Sequence, residues 1–266
     1  MTRAFALMRP VAAGLWLTLG GLAMAAAAPA QAASAPAPAK PAEDHWTLGA
    51  GVAAVPVFQG SEEYKAQPLP LVDVQYGRLF AKVGDGIGVH IIRAPRFTAG
   101  IAVNWMQGYD QDDVPAGLNG VDDALGARLF VSGRYRGAVA TLAVTQAVTE
   151  TDRGMLISAG LGYPVQATDR LTITPSLGAT WANARYMTSY FGVDASEAAA
   201  SGFDRYTPTS GFKDISLRVS ASYRITDSIR AVGSVGATQL LGDAADSPFV
   251  EQKAQPIALM GLTYTF

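Results

Sequence analysis

Cysteine is absent from the 266-residue chain, and histidine occurs only twice. Without cysteine the protein has no disulfide framework, no thiol chemistry, no thiolate metal ligand and no attachment site for a lipoprotein anchor. Charged residues are also scarce, at 16% of the chain, and the formal net charge is −2. Because nucleic-acid-binding domains are typically basic, we expect no nucleic-acid partner.

The sequence also lacks long apolar runs and helical patterns. After residue 32, no stretch approaches the ~20 consecutive apolar residues that a transmembrane helix needs. Only residues 195–200 resemble a short helix. Hydrophobic residues nevertheless make up 49% of the chain, and there are 28 glycines. This combination favours an all-β fold.

The amino-terminal segment is typical of an export signal. Arg3 and Arg9 provide a basic start, residues 11–27 form an apolar core, and Ala30-Gln31-Ala32 is a small-x-small cleavage site. We therefore predict a signal peptide over residues 1–32 in preference to a membrane anchor helix.

The rest of the chain divides into two parts. Residues 33–45 are rich in alanine and proline and are predicted to form an extended linker. Residues 46–266 consist of segments in which apolar and polar side chains alternate, as in 212–225, where Leu217 is followed by Arg218. Outer-membrane strands show this alternation over ~10 residues, although β-sandwiches and lipocalin-like barrels alternate as well.

Twelve strands are predicted from the alternation and the turn residues. Their connections are tight on one side, as at Gly137, and mostly long on the other, as at 107–121 and 183–211. Short periplasmic turns opposite long outer loops indicate a transmembrane antiparallel β-barrel. The connection at Gly84–Asp85 is short where a long loop is expected, which leaves ten strands as the alternative count. The predicted strands are 46–56, 68–76, 78–83, 86–92, 96–106, 122–136, 138–148, 154–165, 170–182, 212–225, 228–240 and 256–266.

Aromatic residues lie near the predicted strand ends, where membrane barrels carry interfacial girdles. In a water-soluble domain the same side chains would belong to the core. The aliphatic stretches between them are long enough for a bilayer, which favours the membrane interpretation. These aromatic residues are Trp46, Trp105, Tyr135, Trp181, Tyr223, Tyr264 and Phe266.

The chain ends on an amphipathic strand with Leu262, Tyr264 and Phe266 on one face. Such a strand invites aggregation in water, but it has a partner when it closes a barrel in lipid. The ending resembles the carboxy-terminal assembly signal of bacterial outer-membrane barrels, with Gly261, Tyr264 and Phe266 at the expected spacing. Leu259 departs from that signal, which often has a polar residue there. The resemblance implies a Gram-negative outer membrane and its barrel assembly machinery.

Further segments carry a family resemblance: 49–51 leading to 56–61, 186–193, 200–206, 241–248 and 264–266. They resemble the MltA-interacting protein (MipA/OmpV) family, and the resemblance covers essentially all of the predicted barrel. It implies an outer-membrane barrel whose best-described member scaffolds a murein-degrading lytic transglycosylase together with a murein synthase. Other members resemble osmotic-response proteins or adhesins.

Charged residues on the polar faces of the strands are the candidate site. One interpretation is an ion-selective pore, and the other is a set of interior ion pairs between the arginines and the aspartates. A barrel of about twelve strands is too wide for side chains alone to fill, so the long 183–211 loop is a candidate plug. The predicted lumen-facing charges are Asp73, Arg128, Arg134, Asp214, Arg218 and Arg224.

Two further features are weighed against catalysis and metal binding. His90 is expected to face the lumen, but no serine partner for a hydrolase can be read from the spacing. An acidic cluster has a calcium-like spacing but lacks the glycine and the closing glutamate of an EF-hand loop. We expect it to be a solvated outer loop, with cation bridges to lipopolysaccharide as the alternative; its members are Asp110, Asp112, Asp113, Asp122 and Asp123.

The sequence therefore predicts a non-enzymatic outer-membrane barrel without catalytic residues, metal or cofactor. The leading hypothesis is a scaffold that links a lytic transglycosylase to a murein synthase or otherwise maintains the cell envelope. A small-solute diffusion pore and an adhesin or osmotic-response role are the alternatives. Expected contacts are membrane lipid, lipopolysaccharide and, for murein enzymes, the linker and the turns at 93–96, 136–137 and 166–170.

Overall fold

The computed structural model describes residues 44–266, which form an antiparallel β-barrel with short helices in its loops. The strands are β1 (His45–Pro56), β2 (Tyr64–Tyr76), β3 (Leu79–Lys82), β4 (Gly86–Ala94), β5 (Phe97–Met106), β6 (Ala124–Tyr135), β7 (Ala138–Ala147), β8 (Met155–Gly162), β9 (Val165–Gln166), β10 (Leu171–Ala182), β11 (Gly211–Arg224), β12 (Ile229–Leu240) and β13 (Ala254–Thr265). The helices are α1 (Ala184–Phe191), α2 (Ala195–Ser201) and α3 (Gly242–Ala245), with 3-10 turns at Gln111–Asp113 and Thr151–Arg153.

The sheet closes on itself through its first and last strands. β1 pairs with β13 from Thr47 opposite Thr265 to Ala54 opposite Ala258. β8 and β9 both pair with β10 and are two parts of one barrel strand, so twelve strands complete the circuit. The predicted antiparallel barrel is confirmed, and the alternative of ten strands is wrong.

The two faces of the wall differ in polarity, as the period of two requires. Along β11, Ile215, Leu217 and Val219 point outward and are exposed, whereas Ser216 and Ser220 point inward and are partly covered. The inner face is rich in serine, threonine and glycine. An apolar exterior around a polar interior is the pattern of a barrel in lipid.

Aromatic side chains mark both ends of the outer face. At the end with short turns, the exposed aromatic residues are Trp46, Tyr76, Phe97, Tyr135, Tyr163, Tyr223, Tyr264 and Phe266. At the end with long loops, Tyr64, Trp105 and Phe212 are exposed, and Trp181 is the penultimate residue of β10. Amphipathic rings at these two heights suit the two membrane–water interfaces.

The seam between β1 and β13 leaves little room for side chains on its inner face. A Cβ atom on Gly261 would lie 2.6 Å from the carbonyl oxygen of Ala50, and one on Gly49 would lie 2.1 Å from that of Leu262. Because contacts this short require the backbone to shift, glycine at these positions lets the strands approach each other. Gly261 therefore has a packing role in closure.

The wall is incomplete beside β3, which has only four residues. Pairing between β2 and β3 covers Asp73–Tyr76 against Leu79–Lys82, and the chain turns back at 83–85 to begin β4. β2 nevertheless continues to Tyr64 and β5 to Met106. We call the resulting opening between the loop-end halves of β2 and β5 the lateral notch. Because β3 is short and β4 begins close after it, the third connection of the barrel, at Gly84–Asp85, is also unusually short.

Some local predictions are wrong. His45, assigned to the linker, is the first residue of β1 and pairs with Gln75. The segment 195–200 forms α2 as predicted, but α1 and α3 were not predicted. The predicted signal peptide (1–32) and the linker residues 33–43 lie outside the described residues.

Within residues 44–266, no helix is both long enough and apolar enough to cross a bilayer.

The assignment of faces predicts a difference between two arginine substitutions in β11. Leu217→Arg places a charge on the apolar outer face in mid-strand and should destabilise the barrel by ~2–4 kcal/mol. Ser220→Arg places it on the inner face and should cost much less. Reversible unfolding in lipid vesicles measures both, and a larger cost for Ser220→Arg would mean that the faces are reversed.

The exposed end of β13 predicts a role for Phe266 in assembly. Phe266 is 77% exposed, and its backbone amide donates to the Trp46 carbonyl at 3.0 Å, so deleting it removes little buried surface. We expect the yield of folded barrel in cells to fall while refolding into detergent stays nearly intact. An equal loss of folded barrel in cells and in detergent would refute the prediction that the assembly machinery recognises Phe266.

Candidate functional site

The long loops pack together at one end of the barrel into a cap, which comprises residues 57–63, 107–123, 183–210 and 241–253. The larger of its two hydrophobic clusters joins α1 and α3 to inward-facing residues at strand ends: Met106, Ala124, Ala147, Ala182 and Leu240. The smaller cluster joins all four loops through Phe58, Val114, Leu118, Val193 and Phe249. Because the strand ends belong to five strands around the ring, α1 lies within the mouth of the barrel.

α1 is the central element of the cap. Asn183 caps its first turn, since the Asn183 side chain accepts from the Tyr186 amide at 3.0 Å. The Tyr186 and Tyr190 rings stack with centroids 4.2 Å apart, and the Tyr190 hydroxyl donates to the Gln107 carbonyl at 2.9 Å. Tyr186, Met187, Tyr190 and Phe191 are all buried, and burial raises the pKa of the Tyr186 hydroxyl above its usual range.

The outer layer of the cap is held by polar contacts. Asp194 begins α2 with a capping box in which Glu197 reciprocates. The Glu197 carboxylate also accepts from the Asn119 amide at 3.0 Å, which ties α2 to the 107–123 loop. The Asp243 side chain accepts from the backbone and hydroxyl of Thr209, and these hydrogen bonds lower the pKa of the Asp243 carboxyl.

A buried ion pair lies directly beneath α1. Lys213 and Asp214 are each 6% exposed and contact each other through Nζ and Oδ2. A bulge opposite Thr180–Trp181 turns both side chains inward. The Lys213 ammonium also donates to the Gln59 side chain at 2.7 Å. Since a buried charge requires a partner, this pair anchors the 57–63 loop to the wall.

The six predicted lumen charges all lie on the inner face, but they do not pair with one another as expected. Arg128 contacts Asp85 at 3.2 Å, and Asp214 contacts Lys213. Asp73 contacts His45 at 3.2 Å and Lys82 at 4.0 Å. The expected pairing of the arginines with Asp73 and Asp214 is therefore wrong, because the register brings other residues opposite them.

The three remaining arginines differ in their surroundings. The Arg224 side chain donates to the Asp169 carbonyl at 2.7 Å, at the turn end. Arg134 and Arg218 are exposed on the inner face, where the lumen contains cavities of about 430 Å³ and 490 Å³. The larger of the two cavities is lined by His45, Asp73, Lys82 and Arg230 among others. The lumen below the cap thus contains open space lined by polar and charged side chains.

His90 faces the lumen in an aromatic setting. Its Nε2 atom lies 3.2 Å from the Gln75 side-chain oxygen, and its ring centroid lies 4.6 Å from that of Phe80 and 5.7 Å from that of Phe130. The neighbours are an amide and two phenyl rings, which pack and orient the imidazole. This is the geometry of a structural histidine.

The acidic loop cluster is divided among separate contacts. Asp113 accepts from the Lys65 ammonium at 2.6 Å, and Asp123 accepts from the Gly108 amide at 2.7 Å. Asp122 lies 3.9 Å from the Arg153 guanidinium. Within residues 44–266, no group of three or more histidine, aspartate or glutamate side chains is close enough together to hold a metal ion.

The two ends of the barrel carry opposite charge. At the turn end, the acidic residues are Asp44, Asp169 and Asp227, and the arginines outnumber them: Arg78, Arg93, Arg96, Arg134, Arg136, Arg170, Arg224 and Arg230. We call this set the arginine rim. The loop end carries most of the aspartates and glutamates of the described chain.

Comparison with known sequences bears on this architecture. The family model described as MltA-interacting protein MipA matches residues 48–266. The chain belongs to the MipA family. A 24 kDa outer membrane protein of Pasteurella multocida is 21% identical over 233 residues, covering 82% of this chain and 90% of that one. This MipA-family chain is accordingly an outer-membrane protein.

A second relative and two solved structures are also similar to this chain. The putative outer membrane protein YiaT of Escherichia coli K12 is 25% identical over 97 residues, which span 36% of this chain and 39% of YiaT. Among solved structures, an outer membrane channel from Pseudomonas putida F1 gives a TM-score of 0.47 at 11% identity, covering 87% of this chain and 99% of that one. The NanC porin gives 0.43 at 8%, covering 82% and 98%.

Several residues of the site were missed by sequence reasoning. Lys82 and Asp85 complete the inner ion pairs, and Lys213 neutralises Asp214. The alternation in β11 assigns Lys213 to the outer face, and only the bulge brings it inside. The sequence feature from which this ion pair could have been predicted is a lysine beside an aspartate at the start of an apolar strand.

The burial of α1 predicts how the cap can be opened. Tyr190→Ala removes a side chain that is 1% exposed, together with its hydrogen bond, and should destabilise the cap by ~3–5 kcal/mol. We expect steady single-channel steps in planar bilayers from this variant. Arg185→Ala changes an exposed residue on the same helix; it is the matched control and should behave as wild type. Steady single-channel steps from the wild-type barrel would contradict the inference that the cap closes its mouth.

Proposed function

We propose that this MipA-family barrel is a non-enzymatic scaffold that holds a lytic transglycosylase at the periplasmic face of the outer membrane. The partner class is the one for which the family is named, MltA. Through that enzyme the scaffold would also bring in a murein synthase. Long loops mark the outer end of such barrels and short turns the periplasmic end, so the arginine rim faces the compartment in which murein enzymes work.

The arginine rim is the observation that carries this proposal. Arg96 and Arg170 lie in different turns, and both side chains are exposed. Arginine is well suited to bidentate pairing with carboxylates, so the rim fits a partner with an acidic surface. Complementary charge steers association and fixes the orientation of the bound partner. Asp44, the first described residue, lies on the same side, because its side chain accepts from the Gly77 amide at 2.8 Å.

A small-solute pore is the second candidate, and the open space with polar lining inside the barrel favours it. The cap opposes it, because the buried cluster around α1 occupies the mouth through which solutes would pass. A barrel closed at one end is consistent with a scaffold, which needs only a stable surface in the membrane. An adhesin or osmotic-response role would instead depend on the outer surface of the cap.

Charge reversal on the rim tests the scaffold role. The full barrel in lipid nanodiscs should bind the MltA-type transglycosylase from the same cell, and binding should weaken with salt. The double variant Arg96→Glu with Arg170→Glu should lose about tenfold or more in affinity, since like charges then face each other. Surface plasmon resonance provides the measurement.

Two controls sharpen this test. Arg185→Glu reverses a charge at the loop end and should leave the affinity unchanged. Deleting residues 33–43, which keeps β1 intact, should weaken binding if the linker contributes to the contact. If the intact barrel captures no transglycosylase, or if Arg185→Glu weakens binding as much as the rim variant, the scaffold role is refuted.

A further inference from the structure

We propose that the lateral notch is a binding portal for amphiphilic primary ammonium compounds, which have an apolar body and an ammonium head. The notch opens onto a cavity of about 1020 Å³. Its lining includes the inward-facing residues Gln67 and Leu69 and the outward-facing residues Pro70 and Trp105. A cavity shared by the two faces of a barrel passes through its wall, so it connects the lumen with the outer leaflet.

The sequence of β2 also suits an unpaired edge at the notch, because it has two prolines there. The Val72 carbonyl accepts from the Val83 amide at 3.0 Å, so even-numbered residues of β2 direct their backbone groups away from β1 and toward the notch. Pro68 and Pro70 belong to this set and have no N–H to leave unpaired. Proline in a sheet is confined to edges, and these two residues lie on an edge to which no described strand pairs.

The free edge defines which head group the portal accepts. With both prolines lacking donors, the backbone groups of Pro68 and Pro70 that face the notch are carbonyl oxygens alone. Carbonyl oxygens without donors are costly in a membrane and attract a ligand that supplies N–H groups. A primary ammonium supplies three donors and no acceptor.

The charge of the cavity also favours an ammonium head group. Its acidic lining residues are Asp110, Asp113, Asp122 and Asp123, and its basic lining residue is Lys65. The Lys65 ammonium is already engaged by Asp113 at 2.6 Å, and this pair ties the 107–123 loop to β2 above the notch. Asp122 lies near Arg153, but Asp110 and Asp123 form no ion pair within residues 44–266. The cavity is therefore negative, which favours cations and disfavours phosphate or sulfate heads.

The floor and sides of the notch suit an apolar body. Leu69, Pro70, Val83 and Trp105 provide aliphatic and aromatic surface. Val83 and Trp105 are 42% and 64% exposed, so this surface is open to a ligand. Binding sites for small molecules combine such a lining with a few polar groups that orient the ligand, and their volumes are on the order of 300–1,000 Å³.

The test measures equilibrium binding of octylammonium to the full barrel in nanodiscs, with empty nanodiscs subtracted. We expect saturable binding with a stoichiometry near one, weaker binding of octyltrimethylammonium, which has no N–H donor, and no saturable binding of octyl sulfate. Gln67→Trp, which narrows the opening from the lumen side, should reduce affinity at least tenfold.

A matched pair of substitutions isolates the charge contribution. Asp110 lines the cavity and makes no side-chain capping hydrogen bond, so Asp110→Asn should weaken octylammonium binding about three- to tenfold. Asp112, two residues away and outside the cavity lining, provides the control Asp112→Asn, which should bind as wild type. Octyl sulfate binding as tightly as octylammonium, or Asp110→Asn and Gln67→Trp both binding as wild type, would overturn the proposal.

Discussion

A chain inside a bilayer must satisfy its backbone hydrogen-bonding groups from within, and the pairing of β1 with β13 makes this possible around the wall except at the lateral notch. Without that seam the sheet would have two free edges in lipid. The seam depends on small residues, since side chains at Gly49 and Gly261 would collide with the opposite backbone. The faces, the girdles and the lumen all follow from this closure, because a closed sheet has an inside and an outside.

The closed wall also determines where charge can reside. Ionised groups are confined to the lumen and to the two ends, and the chain separates them by sign: arginines at the turns and carboxylates at the loops. At the loop end, the buried helix α1 converts an open mouth into a packed lid. The turn end of the barrel therefore presents a basic surface, and the loop end presents an acidic surface covered by the cap.

Much of this architecture could be predicted from the sequence, since strands in lipid repeat every two residues and short turns alternate with long loops. α1 could not, because its tyrosines and phenylalanine are residues that favour strands, and it is helical owing to its burial in the mouth. The partner of Arg128 could not either: Asp85 is 43 residues away, and the stagger of the strands brings the two together. Pro68 and Pro70 suit a free edge, but none was predicted, because their segment otherwise alternates as an ordinary strand.

The seam also constrains the order in which the barrel can assemble. The hydroxyls of Thr47 and Thr265 lie 2.8 Å apart although 218 residues separate them. Contacts of such long range form slowly, because the entropy of the intervening loop is lost before they contribute. β13, the partner of β1, follows all the other described strands along the chain, so it is synthesised after them. The seam therefore cannot form until every strand between β1 and β13 has been made, and until then the apolar outer face belongs to an open sheet.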